Sequence, residues 1–431
     1  MTESAVAPTM PACDYDIVIA GGGMVGASLA LLLSNCSDRQ LRILVVESFP
    51  IAAAAERNPA AAASPSYTPS FDARSTALSY GSRVILEPLG MWPMLSKHLA
   101  GIDSIHVSSR GNFGSTEMSS SDVHWPSLGY VVENSWLGNV LLAQLRQCPG
   151  VEFLAPGSVT AISPKCQSVA ITVASESGSK EVTAQLTIVA DGADSTLREQ
   201  LGISASVSHY GQQALIANVS FRKDHRGCAF ERFTEQGPMA LLPLTNSDRG
   251  ELRSALVWSL SDQQSEHLLQ CSEAEFLSAL QQQFGHRLGE FIRVGERFTF
   301  PLKLVQAEEQ VRSGIVVMGN AAHSLHPVAG QGFNLALRDC VRLTQMLTTA
   351  HRQGHYLGYI GLLQGYVEQQ LFDQQKTIGF SDKLPALFNS KQLPVSILRS
   401  LGLGALDVLP AVKKGFVHHA AGMQYGAALG V

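Results

Sequence analysis

Paired cysteine motifs, long apolar runs and runs of one charge are all missing from this chain, and each absence excludes a class of protein. The seven cysteines (Cys13, Cys36, Cys148, Cys166, Cys228, Cys271 and Cys340) are scattered and odd in number, with no C-x-x-C. Neither a zinc site nor a disulfide framework is indicated, and a reducing cytoplasm fits. No apolar run reaches about 18 residues, so no transmembrane helix is expected and any membrane contact would be peripheral. The opening MTESAVAPTMPAC has neither a basic n-region nor an apolar h-region, so no signal peptide is expected. Charged residues make up only 16% of the chain, the net charge is -5, and there is no basic run, which argues against nucleic acid. What the chain has in quantity is apolar: 45% of 431 residues, enough for two domains or for one with a large insertion.

The chain is organised around residues 14–47, DYDIVIAGGGMVGASLALLLSNCSDRQLRILVVE. A short β-branched run ends in Gly21-Gly22-Gly23-Met24-Val25-Gly26, and a run of apolar helix formers follows. A second buried strand then ends on Glu47. Strand, tight turn, helix, strand and acid make one βαβ unit. Gly21 permits the turn, Gly23 lets backbone approach a pyrophosphate, and Gly26 lets the helix pack close to the strand. Phosphates sit at the helix N-terminus, where N–H groups and the dipole favour anions. Glu47 stands about 20 residues beyond the last glycine, where an acid binds ribose hydroxyls. Its carboxylate would repel a 2′-phosphate, so the site suits FAD or NAD and not NADP.

Residues 51–70 are rich in Ala, Pro and Ser and read as a surface loop. The pattern predicts a helix over 75–89, an amphipathic helix over 137–147 and a buried strand over 185–190. From 206 to 260 the chain turns strand-rich with polar turns, which argues an antiparallel sheet distinct from the parallel nucleotide sheet. Ser272-Glu273-Ala274-Glu275 reads as a capping box opening a helix to 284. A last buried strand over 314–318 feeds Gly319-Asn320-Ala321-Ala322-His323, and long helices are expected over 334–350 and 356–378. The nucleotide domain is therefore assembled from separated pieces. The expected divisions are 14–74, 137–202 and 311–350 for the FAD-binding domain, 75–136 and 203–310 for the substrate domain, and 351–431 for a C-terminal helical region.

Two further stretches carry chemistry. Asp191-Gly192 follows a buried strand and precedes a short helix, the edge where α/β folds place ligands; an ordinary strand-to-helix turn with an Asx cap reads equally well. The stretch GNAAHSLHPVAGQGFNLALRD, 319–339, offers small residues against which a flat ring can lie. Its Gly332 and Asn334 stand at a helix start that presents N–H donors. His323 and His326 have i, i+3 spacing, but no local carboxylate or cysteine completes a zinc set, so no metal is expected.

Together, Gly21-x-Gly23-x-x-Gly26 with Glu47, Asp191-Gly192 and the 319–334 stretch resemble the three fingerprints of flavin-dependent aromatic hydroxylases. The resemblance implies the p-hydroxybenzoate-hydroxylase-like fold: a Rossmann-like α/β FAD-binding domain with an inserted antiparallel β-sheet substrate domain and a C-terminal helical region. Phe71-Asp72-Ala73-Arg74, Leu128-Gly129-Tyr130-Val131-Val132-Glu133, Glu231-Arg232-Phe233, Gly237-Pro238-Met239-Ala240-Leu241-Leu242-Pro243 and Ile378-Gly379-Phe380-Ser381-Asp382 are similar to the ubiquinone-biosynthesis branch of that family. Where most of the superfamily has Gly-Asp-Ala-Ala, this chain has Asn320, which keeps the hydrogen-bonding shape, removes one charge and resembles the 2-polyprenyl-6-methoxyphenol hydroxylase branch.

By that resemblance Gly21, Gly23, Gly26, Glu47 and Arg74 would hold the AMP and pyrophosphate half of FAD. Asp191 and Gly192 would touch the pyrophosphate, and Asn320 the ribityl or phosphate. Pro327, Gly330, Gly332 and Asn334 would flank the isoalloxazine. The strands over 213–260 would floor the substrate pocket, with Phe233 and Pro243 as walls and Tyr210 or His209 available to activate a phenol. The expected reaction is hydroxylation of a polyprenylated methoxyphenol in ubiquinone synthesis, with NAD(P)H as reductant and O₂ as co-substrate. Hydroxylation of another ring position or another aromatic substrate, a flavin reductase of isoprenoid chains, and a flavin-binding scaffold for other ubiquinone-biosynthesis proteins are the rivals. A halogenase W-x-W-x-I-P pattern is absent. The apolar tail after Leu384 has two readings, core helices or a peripheral docking surface at the inner membrane.

Overall fold

The computed structural model describes residues 12–38, 40–49, 74–110, 115–247, 249–325, 330–389 and 410–423. The 51–70 segment, Phe71-Asp72-Ala73, His326 and Pro327, each the object of an expectation above, lie outside the described residues.

The run YDIVIA forms β1 (Tyr15–Ala20), ILVV forms β2 (Ile43–Val46), and both are buried on two faces. Ile17 and Ile19 point one way, into a core with Leu29, Leu33, Leu137, Leu343 and Leu347. Those partners lie on α1 (Met24–Cys36), α4 (Asn134–Leu145) and α8 (Gln331–Arg352). Val18 points the other way, to Val169, Ile171 and Val182. A strand covered on both faces has no polar side, so its sequence is a continuous apolar run. The sheet also holds β8 (Val151–Leu154), β9 (Gly157–Pro164), β10 (Val169–Ser175), β11 (Gly178–Val189), β18 (Val311–Arg312) and β19 (Ile315–Val317). Its order is β18-β19-β11-β1-β2-β8, with β10 and β9 added on β11. Strands β19, β11, β1, β2 and β8 run parallel, and the others join antiparallel.

A second sheet comprises β5 (Ser104–Ser109), β6 (Ser115–Ser119), β12 (Ala205–Phe221), β13 (Cys228–Thr234), β14 (Gly237–Leu244), β15 (Arg253–Ser261), β16 (Phe291–Val294), β17 (Phe298–Ala307) and the short β20 (His323–Ser324). Its order is β20-β17-β12-β15-β14-β13-β5-β6, with β16 on β12. One face is closed by α6 (Asp262–Gln270) and α7 (Glu273–Phe284), whose Leu268, Phe276, Leu280 and Phe284 pack on Leu215, Leu241, Leu256 and Trp258. Both helices open with capping boxes, Ser261/Gln264 and Ser272/Glu275. Only the second was expected from the sequence.

The structure corrects the expected helix over 75–89. Residues 75–79 are β3 (Ser75–Ser79), paired with β7 (Gly129–Glu133) in a three-stranded sheet completed by β4 (Leu99–Ile102). Ser79 then caps α2 (Tyr80–Leu86) by accepting from the Ser82 amide. Tertiary pairing with β7 overrides the local helical spacing. The short α3 (Trp92–Leu95) and α5 (Thr196–Gln200) complete connections. Near the C-terminus α9 (Ile360–Asn389) runs longer than expected, and α10 (Pro410–Ala420) follows. Val417 and Ala421 are buried, Phe416 meets the Phe380 ring at 6.0 Å, and the Gly81 amide donates to Ala421 O. One side of this part of the tail is packed into the protein, while Val412 is 54% exposed. No helix among the described residues is long and apolar enough to cross a membrane.

Candidate active site

Parallel pairing brings the expected motifs to one edge. Ala20 is in register with Val46 and with Val189, and Val189 with Val317. The segments that follow these strands are the glycine turn, Glu47, Asp191-Gly192 and Gly319-Asn320. All four leave the carboxyl edge of one sheet, the edge where open α/β sheets bind ligands. Backbone bonds lock the edge: Gly21 donates to Val46 O, Ala190 to Ala20 O and Met318 to Val189 O.

The glycine turn divides into closed and open positions. Gly21 has φ +108°, and a Cβ there would lie 2.3 Å from Ala190 O. A Cβ on Gly26 would lie 1.9 Å from Gly21 O, so only glycine lets α1 sit this close to β1. Gly23, by contrast, faces open space, with nothing within 4 Å of its would-be Cβ, and it is the N-cap of α1 with no side chain capping the helix. Gly192 (φ +103°) and Gly332 face open space in the same way. Open glycine faces beside a helix N-terminus form a cradle with the shape and polarity a pyrophosphate needs. The residues present therefore fit FAD.

The half-buried Glu47 accepts from the Gly22 amide at 2.8 Å through Oε2, and its Oε1 accepts from the Phe49 amide. It braces the turn while one edge of the carboxylate stays accessible. Asp191 is exposed, and its Oδ2 accepts from the Leu197 amide at 3.3 Å, while the buried Ser195 caps α5. Asn320 is exposed between the buried Gly319 and Ala321. Gly319 (φ +60°) abuts Val25 in the first turn of α1, so the third motif touches the first.

The loop that carries Asn320 is clamped from below. Arg198 Nη1 donates to Ala321 O at 2.9 Å. His323 Nε2 lies 2.8 Å from Asp339 Oδ2, both side chains about 98% buried, and Gln374 Nε2 donates to the same carboxylate oxygen. Beside them Arg338 pairs with Asp373 at 2.7 Å. His323 is thus a loop anchor, and among the described residues no group of three or more His, Cys, Asp or Glu could hold a metal ion.

Asn334 has its side chain fully used within the protein, which leaves its backbone to face a flavin. Its Oδ1 accepts from the Ser79 amide and Ser82 Oγ, and its Nδ2 donates to Ala77 O and Gly330 O. It brackets the start of α8 to β3 and α2. Gly330 takes φ +57° at the N-cap of α8, and its would-be Cβ would lie 3.0 Å from Ala77 Cβ. Arg74 stacks over the ring of Phe300 on β17, 5.4 Å from its centroid, so the contact observed for it is with the second sheet.

The substrate-side expectations separate. The expectation that Phe233 and Pro243 wall one pocket is corrected by strand alternation. Phe233 opposes Pro238, so it shares a face with the even-numbered residues of β14. Pro243 shares the other face with Met239 and Leu241, which α6 and α7 cover. Tyr210 donates its hydroxyl to Asp382 Oδ1 on α9 at 2.7 Å. Burial, and then that carboxylate, push the phenol well above its ordinary range, so the hydroxyl is a donor and not a base. His209 is exposed. The Tyr210–Asp382 pair and the Arg198 clamp were missed as a pair and a clamp, because each joins residues more than 100 positions apart.

This edge, with its cradle and adjoining sheet, defines a flavoprotein of the two-domain hydroxylase type, and the comparisons agree. The FAD binding domain family profile matches residues 65–368. The ubiquinone hydroxylase UbiL of Rhodospirillum rubrum is 32% identical over 97% of this chain and 92% of its own length. The 3-demethoxyubiquinol 3-hydroxylase of Escherichia coli is 28% identical over 95% of this chain and 98% of its own. The solved p-nitrophenol 4-monooxygenase PnpA of Pseudomonas putida superposes with a TM-score of 0.74 at 18% identity, covering 94% of this chain and 98% of that one. The chain belongs to the FAD-dependent aromatic hydroxylases, and FAD is its cofactor.

Proposed function

We propose that this enzyme hydroxylates the ring of a polyprenylated methoxyphenol in ubiquinone synthesis, with NAD(P)H as reductant and O₂ as the source of the new oxygen. The observation that carries the reading is the convergence of three flavin motifs on one sheet edge, in a chain with relatives that include a ubiquinone hydroxylase and a 3-demethoxyubiquinol 3-hydroxylase. Bound there, FAD supplies the reduction by NAD(P)H and the activation of O₂.

The chain's own residues hold, orient and dry the site. The Gly21–Gly26 turn and the N-terminus of α1 receive the pyrophosphate. Glu47 presents a carboxylate oxygen to the ribose, and Asn320 is the exposed amide of the third motif. Gly330 and Gly332 leave the start of α8 bare of side chains, so a flat ring system can lie against backbone. The second sheet supplies the substrate side, with β17 joined to the cofactor loop through β20. Its face away from α6 and α7 is mostly apolar, which helps exclude water from the reacting ring.

Asn320 favours the methoxyphenol branch. The 3-demethoxyubiquinol 3-hydroxylase relative keeps a second ring position in contention. A prenylated substrate partitions into membranes, so peripheral contact with the inner membrane belongs to this reading. The test is the profile of quinone precursors in a host lacking this gene. Accumulation of a prenylated methoxyphenol, cleared by the wild-type gene and not by Gly23→Asp, supports the reading. Accumulation of a different precursor moves the ring position, and an unchanged profile refutes it.

A further inference from the structure

One carboxyl in the second sheet has no partner among the described residues. Glu231 lies on β13, opposite Ala240 of β14 and Val107 of β5. The same row continues through Val257, Ile216 and Phe298. Directly opposed residues project from one face, so these six side chains form a stripe across the sheet. Every member of the stripe is half-buried. In the rows on either side Phe233, Ser259, Ala214, Ala229, Ala255 and Asn218 are at most 3% exposed, while Ser109, Phe300, Ile105 and Leu242 are half-buried. The stripe is therefore the more accessible row on the face away from α6 and α7. Five of its side chains are apolar and the sixth is Glu231. No hydrogen bond or ion pair reaches Glu231 among the described residues.

The stripe runs across the sheet from Phe298 on β17, beside the cofactor loop, to Glu231 on β13 and Val107 on β5. At one end β17 pairs with β20, and Phe300, in the neighbouring row, carries the Arg74 guanidinium. Helix α9, tied to β12 by Tyr210 and Asp382, packs over β13 and β14. A polyprenylated phenol is an apolar body with one polar edge, and the stripe has the complementary pattern. On the reading given above, we propose that Glu231 binds the phenol hydroxyl of the substrate and takes its proton. The O–H bond of the phenol breaks and an O–H bond forms on the carboxylate. The electron pair stays on the phenol oxygen, where it makes the ring more electron-rich for oxygenation.

The surroundings suit that task. Burial alone raises the Glu231 carboxyl from 4.5 to about 8, between an ordinary carboxyl and a phenol. No charge among the described residues contributes to that shift. Arg232 on its own strand turns to Gln283 O, His106 on β5 sits beside Phe230, and Arg110, just after β5, turns to Gln283. Strand β14 carries no charged residue, Glu133 of β7 is paired with Arg253, and Asp382 of α9 holds Tyr210.

The test uses purified, FAD-loaded wild type and Glu231→Gln with 2-methoxy-6-prenylphenol and its O-methyl ether. Binding is read from the flavin absorbance change, and turnover from hydroxylated product. Glu231→Gln should keep the flavin content, and at pH 5, where the folded carboxyl is neutral, the melting point. It should bind the phenol roughly tenfold more weakly, bind the ether as wild type does, and form product about a hundredfold more slowly. Wild-type kcat/KM should rise as pH passes through about 8, and the variant should lose that limb. Wild-type turnover and pH profile in Glu231→Gln would overturn the assignment alone. Failure of the FAD-loaded wild type to hydroxylate any phenol probe would overturn the functional reading and this assignment with it.

Discussion

Replacing Asn334 by Ala separates a cofactor contact from a structural bracket. The side chain is 2% exposed and makes four hydrogen bonds, with the Ser79 amide, Ser82 Oγ, Ala77 O and Gly330 O, at 2.7 to 2.9 Å. Each is worth about 1 kcal/mol net. Ser82 Oγ keeps a neighbour in Ser79 Oγ at 3.2 Å, but the other three groups lose this partner. The loss should therefore be about 3–4 kcal/mol. For a chain of this size that lowers the melting temperature by several degrees. The assay is urea unfolding of the flavin-free protein followed by tryptophan fluorescence, with the midpoint moving and the slope unchanged. FAD binding should weaken as a consequence, since Gly330 and the start of α8 are no longer fixed. A variant with an unaltered apoprotein midpoint and lost flavin would show that Asn334 acts on the cofactor directly, and the bracket would be wrong.

Gly23→Ala should leave apoprotein stability unchanged, because its Cβ meets nothing, yet weaken FAD at least roughly tenfold in a flavin titration. Gly26→Ala, with a Cβ 1.9 Å from Gly21 O, should lose stability and flavin together. Arg253→Met strands the buried Glu133 carboxylate, 3.0 Å away, and should cost about 3–5 kcal/mol in the same unfolding assay. The raised Glu231 pKa means that the native state binds a proton the unfolded chain releases. Its contribution to stability is full below about pH 4.5 and is lost as pH rises through about 8. Apoprotein melting from pH 5 to 9 should fall more steeply for wild type than for Glu231→Gln, and parallel curves would contradict it.

Much of the nucleotide sheet was legible because its signals are local. The runs IVIA and ILVV are uniformly apolar because both faces are covered, and the glycines of the turn are forced by backbone approach within a few residues. The capping box Ser272/Glu275 is equally local. What escaped is set by partners distant in sequence. Residues 75–79 look helical alone and become a strand because β7 pairs with them. Asn334 looks like a donor facing a ligand, until Ala77, Ser79 and Ser82 arrive from another part of the chain. Phe233 and Pro243 look like neighbours in a pocket, and only the register of β13 on β14 reveals that they point to opposite faces. Glu231 sat within a motif used for resemblance, and its chemistry became visible once the sheet placed it alone in an apolar stripe.

The most direct test of the central claim is isotopic. The purified protein, after its flavin has been identified by mass, is given NAD(P)H, ¹⁸O₂ and a prenylated 2-methoxyphenol. The account predicts bound FAD and a product carrying one ¹⁸O atom on the ring. Absence of flavin, or NAD(P)H consumption that yields only hydrogen peroxide and unlabelled phenol, would contradict it.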